Sequence, residues 1–126
     1  MSERKILVVD DEPVILNLLE SAFSKVGYLV YPASNADEAF SILKQESIFL
    51  MFIDLGLESM NGFKLCENIR RHNPQAIIFA LTGSAGFYDP KEFLEAGFDG
   101  YFGKPINMKI IYKAVKESFE KLNSNR

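Results

Sequence analysis

The sequence predicts an α/β fold: a single-domain, doubly wound, five-stranded parallel sheet with five helices. Three observations carry this expectation. KILVVD (5–10), IFLMFID (48–54) and AIIFAL (76–81) are continuous apolar runs, not alternating ones, as expected of strands covered on both faces. Helical periodicities lie between and after them. With 126 residues the chain can build one core but not two, and strand and helix alternate with no repeat, low-complexity segment or linker, the pattern of a wound parallel sheet.

The elements follow in chain order. After the first strand (5–10), a helix is expected over 13–26. Ile15, Leu18, Leu19, Ala22 and Val26 recur on one helical face, with Pro13 near the start and Gly27 just past the end, where helices favour those residues. YLVYPA (28–33) is the second strand, and Pro32, with no N–H to donate, assigns it to a sheet edge. The second helix, roughly 35–46, opens after the capping residues Ser34 and Asn35 and turns Ala36, Ala39, Phe40 and Leu43 inward. The third strand is 48–54, and the third helix begins at Gly62 and stops before Pro74. The fourth strand, 76–81, leads into a long loop, 83–88. Asp89 as N-cap, Pro90 as first helical residue and Gly97 as the stop define a short fourth helix. DGYFG forms the last strand near 99–103, and Met108, Ile111, Tyr112, Val115, Phe119 and Leu122 mark a final amphipathic helix.

Composition narrows the function classes. Net charge is −3 with Lys and Arg spread along the chain, so there is no basic stripe to neutralise a phosphate backbone and direct nucleic-acid binding is not expected. No stretch approaches the ~20 apolar residues that span a bilayer, and the apolar run near the N-terminus is too short for a signal peptide. A cytoplasmic protein without membrane attachment is expected. Cys66 is the single cysteine; it excludes an internal disulfide, fits a reducing compartment and reads as a packed hydrophobe.

Parallel strands gather their carboxyl ends on one rim, where ligands of such sheets bind. Asp10 and Asp11 end the first strand, Asp54 the third and Thr82 the fourth, while Lys104 follows the fifth. Two carboxylates ~4 Å apart repel by about 4 kcal/mol at an effective dielectric near 20, so three in a half-buried cleft call for a cation. A lone lysine offsets only part of the charge. Mg²⁺ suits the rim better, being held by one or two carboxylates together with waters and a substrate phosphate. Glu12 is read as a solvent-facing acid in the first helical turn, favoured by the helix dipole. A carboxylate beside Mg²⁺, with an ammonium and a hydroxyl across the cleft, suits phosphoryl transfer onto the carboxylate.

LVVDDEP, FIDLGLESMNG, LTGS and YFGKP, in this order, resemble the four signature segments of the response-regulator receiver domain of two-component signalling, and the match runs over essentially the whole chain, 1–126. The resemblance implies the flavodoxin-like strand order 2-1-3-4-5. It makes Asp54 the phospho-acceptor and Asp11 a direct Mg²⁺ ligand, with Asp10 acting through water and the backbone carbonyl of Gly56 completing the ligands. Lys104 would pair with Asp54 and later with a phosphoryl oxygen, and Pro105 would follow it in a cis bond. Thr82 would bond another oxygen, and Tyr101 is the aromatic that swings inward when Thr82 is drawn towards the phosphate. The implied function is a switch phosphorylated at Asp54 by a histidine kinase or histidine phosphotransfer protein, which alters the 83–105 face for a partner. The family's contact surface is the fourth helix, fifth strand and fifth helix, with room for a weak homodimer. Such a domain catalyses its own phosphorylation and dephosphorylation without being a turnover enzyme.

Glu58 stands where the family usually has proline, Asn61 where an acid is common and Gly83 where alanine is typical. None removes a catalytic group, but Gly83 loosens the segment that would switch.

Other readings stand beside these. One acid at a strand end can simply cap the next helix, though not two acids together with Asp54. Thr82 before a glycine fits a plain turn, Lys104 a solvated lysine, and Tyr101 an ordinary core tyrosine. His72, in the last turn of a helix, reads as a partner of the helix dipole and not as a phosphorelay group. At the level of function, the alternative is a receiver-fold interaction module that ignores phosphorylation, which loss of an acid or of the lysine would mark; neither is lost. A metal-dependent phosphatase with its nucleophile on the first strand would space its two acids one residue apart, and a flavin carrier would place a hydroxyl- and glycine-rich loop where Asp10 and Asp11 stand.

Overall fold

The structure, a computed structural model, describes residues 4–57, 60–83 and 88–124. Strands β1 (Lys5–Val9), β2 (Leu29–Ala33), β3 (Leu50–Asp54), β4 (Ile77–Thr82) and β5 (Gly100–Gly103) alternate with helices α1 (Pro13–Lys25), α2 (Ala36–Gln45), α3 (Gly62–His72), α4 (Pro90–Ala96) and α5 (Met108–Ser124). The strands are all parallel and lie in the order β2-β1-β3-β4-β5, as expected. Pro32 sits in β2 at the sheet edge. Glu58 and positions 84–87 of the expected 83–88 loop lie outside the described residues.

The apolar runs are explained by two cores, one on each face of the sheet. Successive strand residues alternate between faces, so Leu7, Val9, Met51 and Ile53 pack with Ala36, Leu65, Ile69 and Phe93. Ile6, Val8, Leu50 and Phe52 pack with Leu19, Phe23, Ile111 and Val115. Cys66 is buried in the first core and burial pushes its thiol up to about 12, which makes it an inert packing residue.

Two expectations need correction. The buried stripe of α1 is rotated from the one read off the sequence: Leu18 and Val26 are exposed, and Phe23 fills the centre of the interface beside Leu19. The ring of Phe23 meets Tyr28, Phe52 and Tyr112, and this aromatic packing outweighs aliphatic periodicity. The run from Ile48 also outlasts its strand. Ile48 is buried, yet its carbonyl accepts from the Asn73 side chain, so the ladder starts only at Leu50.

The helices begin where their caps permit. The Asn35 side chain caps α2 by accepting from the Glu38 amide at 2.8 Å, and the Glu38 carboxylate accepts from the amide of Ser34, one residue before the cap, at 2.6 Å. Asn61 and Asp89 cap α3 and α4. Gly97, at φ 100°, stops α4 in a left-handed conformation that a Cβ would disfavour.

Candidate functional site

The carboxyl ends of β1, β3 and β4 and the segment after β5 converge on one cleft. Asp10, the residue after β1, is fully buried; its amide donates to Ala33 at 3.0 Å and its Oδ1 accepts from the Glu12 amide at 2.9 Å. That Asx turn folds Glu12 back towards the cleft. Asp10 Oδ2 has no hydrogen-bond partner among the described residues, and its counter-charge is the Lys104 ammonium at 2.9 Å.

Asp54 is the last residue of β3 and only 6% exposed; its Oδ1 accepts from the Gly56 amide at 3.1 Å. The start of α3 presses on the same strand end. A Cβ on Gly62 would lie 2.6 Å from the Asp54 carbonyl oxygen and 2.7 Å from Leu55 Cα, so only glycine fits this approach. The sequence alone marks Gly62 only as a helix start.

Thr82 ends β4 and is buried, and its carbonyl accepts from the Lys104 amide at 2.8 Å. That bond sets the chain after β5 against β4 and aims Lys104 across the rim. The Lys104–Pro105 bond is cis, as the resemblance implied.

The Lys104 ammonium has three acidic neighbours: Glu12 at 2.7 Å, Asp10 at 2.9 Å and Asp54 at 3.6 Å. The expected pairing with Asp54 is thus the longest of the three. Glu12 is not merely a solvated acid: its side chain is 58% exposed, but its tip engages the lysine. Oxygens of Asp10, Glu12 and Asp54 lie within 4.8 Å of one another. Asp11 is half-buried and outside that group, although its charge is felt at Asp54.

The electrostatics follow from the geometry. Burial raises the Asp54 pKa above the ordinary carboxylate range, opposed by the Gly56 hydrogen bond and by Lys104 and reinforced by Asp10 and Asp11. Burial works against the Lys104 ammonium too, but its hydrogen bond to Glu12 and its ion pairs with Asp10 and Asp54 outweigh it, so its pKa lies above that of an ordinary lysine. Three carboxylates face one ammonium. A sealed carboxylate oxygen without a hydrogen bond, in an all-oxygen acidic cluster, fits a hard divalent cation such as Mg²⁺.

Tyr101 is 43% exposed and stacks on the buried Phe93 with centroids 4.5 Å apart, so the reading as a core tyrosine falls away. His72 is exposed in the last turn of α3, its Nδ1 3.0 Å from the Asn68 carbonyl, at the opposite end of the helix from Gly62.

A doubly wound parallel sheet with acids closing two adjacent strands and a lysine beyond the edge strand is the CheY-type, flavodoxin-like fold. The model of the response regulator receiver domain matches residues 6–116, and the chain belongs to that family. Among relatives, "Probable transcriptional regulator ycf27" of Porphyridium aerugineum is 35% identical over 128 residues, covering 99% of this chain and 53% of that protein. The "Alkaline phosphatase synthesis transcriptional regulatory protein PhoP" of Bacillus subtilis is 34% identical over 113 residues, covering 90% and 47%. The chain thus spans about half the length of these curated relatives. A CheY-like receiver domain protein from Methanospirillum hungatei JF-1 superposes with a TM-score of 0.90 at 27% identity, covering 99% of this chain and 100% of that one. The receiver domain of the TMAO respiratory system response regulator TorR gives 0.87 at 28%, covering 94% and 98%. Among the described residues no helix is long and apolar enough to cross a membrane.

Proposed function

We propose that the chain, over residues 1–126, is a phospho-accepting signalling switch in which Asp54 receives a phosphoryl group from a histidine kinase or histidine phosphotransfer protein. One observation carries this reading: a buried aspartate at the end of a central strand shares a cleft with Asp10, Glu12 and Lys104. An Asp54 oxygen attacks phosphorus, the P–N bond of the donor phosphohistidine breaks, and its electron pair stays on the imidazole nitrogen. The product is an acyl phosphate. Lys104 neutralises charge on one phosphoryl oxygen, and the Thr82 hydroxyl donates to another. Hydrolysis reverses the state: water attacks phosphorus, the bond to Asp54 breaks and inorganic phosphate leaves.

Asp11, Asp54 and the Gly56 carbonyl would hold Mg²⁺, with Asp10 acting through water. When bound, the ion neutralises the crowded carboxylates and the charge developing on the phosphoryl oxygens.

The response runs through the 83–105 face. As the phosphate draws Thr82, Tyr101 leaves its stack on Phe93 and turns inward, and the surface of α4, β5 and α5 shifts between two populations that a protein partner distinguishes. The relatives' names support a downstream target in transcriptional control; the reading places the switch in the cytoplasm, and the net charge of −3 without a basic stripe favours a protein partner over direct contact of this domain with nucleic acid.

Incubation with a small acyl phosphate or phosphoramidate and Mg²⁺ is expected to add one phosphoryl mass, which Asp54→Asn abolishes. No gain in the unaltered protein overturns the reading.

A further inference from the structure

Glu12 is the residue that the proposed chemistry leaves without a task, and its geometry gives it one. Its backbone is fixed: the amide donates to Asp10 Oδ1 at 2.9 Å, and the carbonyl accepts from Ile15 and Leu16 at 3.1 and 3.2 Å. Its side chain is committed elsewhere. Glu12 occupies the N-cap of α1 yet forms no capping hydrogen bond, so the carboxylate that could satisfy a helix amide is given instead to Lys104 at 2.7 Å. The two partners differ in setting: the lysine side chain is 14% exposed and the glutamate 58%. The exposed carboxylate therefore holds the sheltered ammonium from the solvent side, and Lys104 stands closer to Glu12 than to Asp54, 3.6 Å away.

We propose that Glu12 is a positioning residue that retains Lys104 in the unphosphorylated state and releases it when a phosphoryl group forms on Asp54. This inference rests on the phospho-acceptor reading of Asp54. An interaction made before the reaction and surrendered during it stabilises the starting state alone, so Glu12 acts as a brake on phosphorylation. Because one partner is largely exposed, the brake is weak, in the range of an ordinary surface ion pair. It acts only through Lys104. This separates it from two simpler roles, a direct ligand for the cation and a bystander charge that repels an anionic donor.

Two measurements test the proposal. In the intact protein, NMR of the Lys104 ammonium should show a scalar coupling across the hydrogen bond to the Glu12 carboxylate, and that coupling should vanish when Mg²⁺ and beryllofluoride, a phosphoryl analogue, are added. A coupling retained in the complex, or absent from the free protein, overturns the proposal. In the second, Glu12→Gln should be phosphorylated by a small acyl phosphate about two- to five-fold faster than the unaltered protein, whereas the same substitution in a Lys104→Met background should leave the rate unchanged. Equal acceleration in both backgrounds identifies a bystander charge, and slowing in both identifies a lost metal ligand; either result overturns the brake, as does no change in either. If the unaltered protein neither binds beryllofluoride nor gains a phosphoryl group, it is the phospho-acceptor reading of Asp54 that fails.

Discussion

β3 and β5 belong to one sheet and are built from opposite materials. β3 reads LMFID and every residue is buried; the ring of Phe52 lies 5.8 Å from Phe23, 5.5 Å from Phe79 and 6.1 Å from Phe102. β5 reads GYFG and alternates half-buried with exposed positions, and the nearby α4 has seven residues, of which only Phe93 and Ala96 are buried. The difference assigns labour. Under the proposed function, a carboxylate that meets a phosphoryl donor in fixed geometry gains from a strand sealed on both faces, while a surface that changes gains from one with little burial to lose.

The contrast can be broken most forcefully at Phe52. Phe52→Ala is expected to cost about 3–5 kcal/mol, measured by chemical denaturation. A loss below about 1 kcal/mol would place β3 in the same class as β5. Gly62→Ala comes next: its Cβ would press into the backbone of Asp54 and Leu55, at an expected cost of about 1–3 kcal/mol. Because that strain falls on the strand end carrying the proposed acceptor, phosphorylation should slow as well. Unchanged stability together with unchanged phosphorylation would show that the end of β3 yields easily. Tyr101→Ala should cost only about 1 kcal/mol, the worth of one aromatic stack, and should weaken partner binding more than it weakens the fold.

The same contrast explains what was legible in the sequence. Strands sealed on both faces write themselves as apolar runs, and caps and stops such as Asn35, Asp89 and Gly97 mark helix ends by local chemistry, so the strands, the edge position of β2 and α4 were legible, while the strand order came from the family resemblance. The rim was readable because acids that end a parallel strand must gather there. What escaped depends on side-chain reach in three dimensions. Nothing local says that Glu12 bends back to Lys104 across 92 positions, that Phe23 displaces the aliphatic stripe of α1, or that Gly62 touches the backbone of Asp54. Arg70 escaped for the same reason. Its guanidinium bonds the carbonyls of Pro74, Ala76 and Gly97 and the Asp99 carboxylate, tying the ends of α3 and α4 to the sheet through partners up to 29 positions away.

Asp54 sharpens the comparison most finely, because it is a charge placed at the end of a core strand. Its pKa is raised in the folded protein, chiefly by burial, so the folded state holds the proton more tightly than the unfolded chain does. The sign follows by linkage: the stabilising contribution is present below the ordinary carboxylate range and is lost as pH rises through the folded pKa. At neutral pH the ionised Asp54 therefore opposes folding. Asp54→Asn, neutral at every pH, should unfold at higher temperature than the unaltered protein, and the gap should close in acid, where both side chains are neutral. Mg²⁺ should close it from the other side, since a ligand present at ten times its Kd stabilises the unaltered protein by about 1.4 kcal/mol. A gap absent at neutral pH would mean that Lys104 and the Gly56 amide already compensate the charge in full, and the end of β3 would then be as relaxed as its core.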